Sequence, residues 1–107
     1  MAERQRKIKI QTGVVKRIAK EKIMYEKEAV GIAEKIKKME AAGEDEYVIK
    51  KQNECLEESK KMGPDCQKRL QQAIGVLSSL LETEKDLEET EEYKNAVKEL
   101  EAVKQAA

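Results

Sequence analysis

The stretch IKIQTGVVKRIAKEKIMYEKEAVGIAEKIKKM, residues 8–39, decides the fold. Read in steps of seven it gives two rows. One is Gln11, Ile18, Tyr25, Ile32 and Met39; the other is Ile8, Val15, Lys22, Ala29 and Ile36. Lys, Arg and Glu fill most of the positions between. Mostly apolar residues three and four apart, sustained over heptad after heptad, mark a coiled-coil-like helix. Ile10 and Val14 widen the stripe at its start, which predicts more than one partner helix there. The helix is expected over residues 4–41, with Gly43 as its C-cap and Glu44 or Asp45 opening the next helix.

Downstream the pattern returns. Ile49, Leu56, Gly63, Leu70 and Leu77 form one row; Gln52, Ser59, Cys66, Ala73 and Leu80 form the other. The rows keep phase through Pro64. That predicts one helix over residues 46–82, kinked at Gly63-Pro64, because proline removes a ladder hydrogen bond and crowds the preceding turn. Two helices with a tight joint are the alternative, since Gly-Pro is a strong breaker pair. An acidic stretch, 83–92, offers Asp86 and Thr90 as N-caps. Tyr93, Ala96, Val97, Leu100 and Val103 then follow helical spacing, predicting a third helix over residues 90–105. Short connections give an all-α, antiparallel three-helix bundle, a single domain over residues 1–107.

At 1.5 Å per residue the first two helices are each about 50 Å long and the third about 25 Å. The third is therefore expected to cover only part of the first two, packing on residues 8–24 and 66–81. A bare two-helix hairpin remains, with Val30 and Val48 among its apolar edge residues. Isolated exposed apolar residues are common, so shielding of these edges by long Lys and Glu stems is the competing account.

Composition fits long thin helices. Charged residues make up 41% and aromatic residues 3%, with neither Phe nor Trp. Such a chain builds a narrow seam, not a thick core. Met24, Met39 and Met62 read as packing residues, and Lys22 as a seam residue whose amine snorkels out. Net charge is zero but uneven: residues 1–42 carry +6, residues 43–80 carry −1 and residues 81–107 carry −5. The basic stretch contains Ile8, Val15 and Ile18, so it is itself packed; a basic zipper would leave that region bare for a DNA groove. No nucleic acid is expected as a partner, and no membrane, since no apolar run approaches spanning length. Lys16, Arg17 and Lys20 on this basic face are candidates for steering a protein partner.

The chain contains no His. It therefore lacks a histidine base, a catalytic triad and histidine metal ligands. Cys55 and Cys66, roughly 16 Å apart along one helix, are beyond disulfide reach and do not complete a zinc site. Reduced thiols and the lack of a signal-peptide core predict the cytosol. No enzyme activity, catalytic residue, cofactor or metal is expected.

Several stretches resemble one family. IKIQTGVVKRIAKEKIMYEKEA (8–29) resembles the first helix of tubulin-binding cofactor A proteins. IKKQ (49–52) and ESKKMGPDCQKRL (58–70) resemble the second helix, and EKDLEETEEYK (84–94) the third. PDCQKRL and EKDLEE in this order are specific together, and the likeness spans nearly the whole chain. It departs at Gly63, where the family tends to carry a larger apolar residue, and at Val30 and Gly31. The resemblance implies a monomer-sized three-helix chaperone that takes β-tubulin after chaperonin release and holds it for assembly with α-tubulin. It also implies no bound nucleotide, an association with the cytoskeleton, and other tubulin-folding cofactors as further partners. A monomer is expected rather than a homodimer. A homo-oligomeric coiled-coil scaffold or adaptor, its bare half paired with itself, is the alternative.

Overall fold

The computed structural model describes residues 2–106, with side chains through Lys104. Helix α1 spans Ala2–Ala41, α2 spans Glu46–Thr83 and α3 spans Glu91–Ala106. A single 3-10 turn, Lys85–Leu87, lies between the last two, and the described residues contain no strand. The all-α fold of three helices read from the heptads is the fold observed.

Each junction has a local chemical cause. Gly43 ends α1 at φ 68°, the left-handed angle that a Cβ disfavours. Its N–H donates to the Glu40 carbonyl at 3.1 Å, and the Glu44 N–H donates to the Met39 carbonyl at 3.1 Å. This pair is a Schellman cap, which satisfies carbonyls the helix leaves open. Asp45 caps α2 by accepting from the Tyr47 N–H at 2.8 Å. Thr90 caps α3, its Oγ1 accepting from the Tyr93 N–H at 3.4 Å. Asp86, the other candidate cap, lies in the 3-10 turn and accepts a hydrogen bond from Arg4.

Helix α2 continues through Gly63 and Pro64. Gly63 keeps a negative φ, so the backbone there does not depend on glycine. The two-helix alternative is not adopted. Proline has no N–H to give the carbonyl four residues back, and the flanking apolar rows hold the helix together.

The chain divides into two compact units, one of residues 2–20 with 68–106 and one of residues 21–67. In the first, α1 and α2 run antiparallel: the Arg4 guanidinium reaches Glu84, while Gln11 Nε2 donates to the Ala73 carbonyl at 3.1 Å. Ile8, Val15 and Ile18 pack with Leu70, Ala73, Leu77 and Leu81, and Ala96, Leu100 and Val103 of α3 complete the cluster. The Tyr93 hydroxyl donates to the Leu81 carbonyl at 3.1 Å, tying α3 back to the end of α2. Leu87, from the acidic stretch, is buried in the same cluster.

Three apolar expectations fail here. Ile10 is 56% exposed and Val97 36% exposed, and Met24 lies outside the seat of α3 and faces solvent. Ile10 sits on the side of α1 away from Ile8 and Val15, since successive helical residues turn by about 100°. Thr12 is buried instead, its hydroxyl satisfied by donating to the Ile8 carbonyl at 2.7 Å.

The second unit is a hairpin of α1 residues 21–41 and α2 residues 46–67. Ile36, Met39 and Ser59 are buried in its seam, whereas Tyr25, Ile32, Ile49 and Leu56 are only half-buried. A two-helix seam has no third layer to cover its sides, and this gradient of burial is the result.

Candidate protein-binding site

Exposed apolar surface is concentrated on the hairpin. Of the eight large apolar residues that stand exposed among those described, five belong to it: Ile23, Met24, Val30, Tyr47 and Val48. Val30 is 59% exposed. The seam rows occupy one face of α1, and Ile23 and Val30 fall outside them, seven residues apart and therefore in line along the helix.

Between the two helices of the hairpin lies an open groove of about 550 Å³. Tyr25, Ala29 and Val30 form one wall, and Ser59, Gly63 and Pro64 form the other. Gly63 contributes no side chain, and a Cβ built there meets no atom within 4 Å. Lys22 lies at the edge with its amine 3.4 Å from Glu26, the snorkelling arrangement expected for a seam lysine. Lys60 adds a positive charge, and Gln67 lines the end of the groove. The Gln67 Oε1 is buried without a hydrogen-bond partner.

Val30 thus stands in the groove wall. Val48 does not; it is exposed in the first turn of α2 beside Tyr47. The ammonium of Lys51 sits 5.4 Å from the Tyr47 ring centre, a cation–π contact that covers one face of this aromatic. The structure therefore separates the two edge residues paired in the sequence reading. It adds Tyr25, Ala29, Gly63 and Pro64, which heptad spacing presented as seam or breaker positions.

The basic residues lie in the three-helix unit. Lys16, Arg17 and Lys20 are exposed on α1, and Lys16 and Lys20 share a face at four-residue spacing. Lys16 also borders a cleft with Lys9 on one side and Glu91, Glu92 and Asn95 of α3 on the other. Part of its field is therefore met within the molecule. Arg4 is held more firmly: the hydrogen bonds it donates to Asp86 and Glu84 raise its pKa, and the bond to Asp86 lowers that of the carboxyl. Neither Cys55 nor Cys66 forms a disulfide. Among the described residues no group of three or more metal-binding side chains occurs, and no helix is long and apolar enough to cross a membrane.

Long charged helices around a thin seam, with an apolar groove left open on a helical hairpin, define a helical module whose exposed apolar surface suits a protein partner. Comparison with known proteins fixes the family. The model of the family described as tubulin binding cofactor A matches residues 3–100. Tubulin-specific chaperone A of Gallus gallus is 62% identical over 101 residues, covering 94% of this chain and 94% of that relative. The solved human tubulin chaperone cofactor a has a TM-score of 0.81 at 57% identity, over 94% of this chain and 98% of that one. The crystal structure of tubulin folding cofactor A from Arabidopsis thaliana gives 0.82 at 39% identity, over 98% of this chain and 99% of that one.

The chain belongs to the tubulin binding cofactor A family. The role of this family is that of a chaperone cofactor, and it is not enzymatic.

Proposed function

We propose that this protein is a tubulin-folding cofactor that captures β-tubulin folding intermediates after chaperonin release and holds them for later assembly of the α/β heterodimer. Family membership supports the tubulin-folding chaperone role. The observation that carries the holding step is the hairpin, where Ile23, Met24, Val30, Tyr47 and Val48 remain in water. A partner that covers such a surface gains roughly 25 cal/mol per Å² of apolar area removed from water. An incompletely assembled protein has apolar surface of its own to offer in return.

The basic face at Lys16, Arg17 and Lys20 contributes attraction and not packing, since exposed charges act mainly on the rate of encounter. Work on a tubulin intermediate places the protein in the cytosol, in association with the cytoskeleton and beside other tubulin-folding cofactors. The chain acts as a monomer and binds no nucleotide, nucleic acid or membrane.

The test is a mass measurement in solution. The protein alone is expected at monomer mass, rising by one β-tubulin when that chain is supplied without nucleotide. Self-association that leaves β-tubulin unbound would favour a homo-oligomeric scaffold or adaptor and sink the chaperone reading.

A further inference from the structure

In the three-helix unit, α1 and α2 hold a third helix. Ile8, Val15 and Ile18 pair with Leu70, Ala73 and Leu77, and the groove between the two helices is filled by Ala96, Leu100 and Val103 of α3. These three side chains are spaced i, i+4, i+7 along one face of an amphipathic helix. In the hairpin unit the same two helices run side by side, with their heptad rows continuing as Tyr25, Ile32 and Met39 on α1 and Ile49 and Leu56 on α2. Here no third element lies in the groove, and Val30 and Ile23 remain 59% and 45% exposed.

We infer that the groove between Tyr25–Ala29–Val30 and Ser59–Gly63–Pro64 is the seat for one amphipathic α-helix of the bound β-tubulin, packed on α1 and α2 as α3 packs on them in the other unit; this rests on the β-tubulin reading above. A helix suits the groove for two reasons. Its apolar residues recur every three to four positions on one side and so fill a slot between two helices continuously, whereas a strand sends alternate side chains away. A helix also satisfies its own backbone hydrogen bonds, and the groove walls are side chains that offer no ladder to a strand. Ala29 and Gly63 are small, which lets an incoming helix approach closely. Lys22, Glu26 and Lys60 along the edge place both signs of charge where the polar flanks of such a helix would lie.

The experiment uses the full-length protein and β-tubulin made by cell-free translation. The unaltered protein must first form the complex; if it does not, the β-tubulin reading itself fails. Gly63→Glu then places a carboxylate in the groove, in space where no atom stands within 4 Å of the Cβ position. It exchanges glycine for a good helix former, so its melting temperature is expected at or above the parent's. Affinity is expected to fall about tenfold or more, because an incoming apolar helix face would bury that charge. Gly31→Glu, at an exposed and equally open position outside this groove, is the control and is expected to bind within about twofold of the parent. A Gly63→Glu protein that melts normally and binds like the parent overturns the inference while leaving β-tubulin as the partner. A photo-crosslinking residue at Val30 gives the second readout. Adducts are expected at β-tubulin positions spaced three and four apart on one helix. Adducts confined to a strand or loop would overturn it.

Discussion

Asp86 and Arg4 lie 82 positions apart in the chain, yet their side chains share a hydrogen bond, with the guanidinium donating at 2.5 Å. Arg4 also pairs with Glu84, so the start of α1 is tied to the strap that leads into α3. The Arg4 hydrogen bond holds the Asp86 carboxyl below its ordinary range. A carboxylate whose folded pKa is depressed adds stability above its unfolded pKa, and that stability is lost as pH falls through the folded one. The parent should therefore melt higher than Asp86→Asn at pH 7. The gap should begin to close below about pH 4, the range of an unperturbed Asp, and vanish at lower pH. Paired thermal melts across this range check it, and a gap that persists below the titration would show that the charge is not its source.

Gly63 offers a simple stability gain. It lies inside α2 with a negative φ and open space at its Cβ position. Gly63→Ala should stabilise the fold by about 1 kcal/mol, the helix-interior difference between the two residues. Urea unfolding measures it. A loss would mean that the backbone at this site needs glycine.

Leu87 closes the core from within an acidic, aperiodic stretch. It is 4% exposed and packs with Leu81 and the apolar face of α3. Leu87→Ala should cost about 2–5 kcal/mol, as removal of a buried leucine side chain does. A cost under about 1 kcal/mol would show that the strap packs loosely on the bundle.

The heptad rows of α1 and α2 were legible because a seam imposes its period on the sequence. Every residue of the four rows is buried or half-buried, including Lys22, Gln52 and Gly63. The exceptions have local causes that period does not carry. Thr12 is buried because its hydroxyl finds a carbonyl one turn back, and Leu87 because a 3-10 turn aims it inward. Val97 matches helical spacing, but α3 is held through Tyr93, Ala96, Leu100 and Val103, which leaves Val97 at the margin. Of the candidate site, Val30 could be read as lying off the seam. The groove could not, because its walls come from positions about thirty residues apart.

Lys16 and Lys20 should differ in effect. Lys16 faces Glu91 and Glu92 across a cleft, so part of its field is already met. Lys20 is exposed on the same helix and does not line that cleft. Charge reversal at Lys20 should slow association with β-tubulin more than reversal at Lys16, with little change in dissociation. The effect should fade as added salt shortens the screening length below about 8 Å. Stopped-flow association at several salt concentrations tests the order. Rates that ignore both salt and reversal would leave these residues as solvated surface.

Val30 and Val48 separate the groove from the rest of the hairpin. Both are exposed, at 59% and 44%, so replacing either with serine should change folding stability by no more than about 0.5 kcal/mol. Burial of a valine side chain by a partner contributes about 1.5 kcal/mol, roughly tenfold in affinity. Val30 lines the groove, and its loss should therefore weaken β-tubulin binding by about that factor. Val48 lies outside it, beside a Tyr47 ring already covered on one face by Lys51, and Val48→Ser should weaken binding less. Measuring melting temperature and affinity for each variant separates a lost contact from a lost fold. Equal losses at both positions would spread the interface over the whole hairpin. If neither variant changes affinity while substitutions at the exposed Ile10 and Val97 of the three-helix unit reduce it, the client binds at the opposite unit, and the hairpin's apolar edges are shielded by their own lysine and glutamate stems.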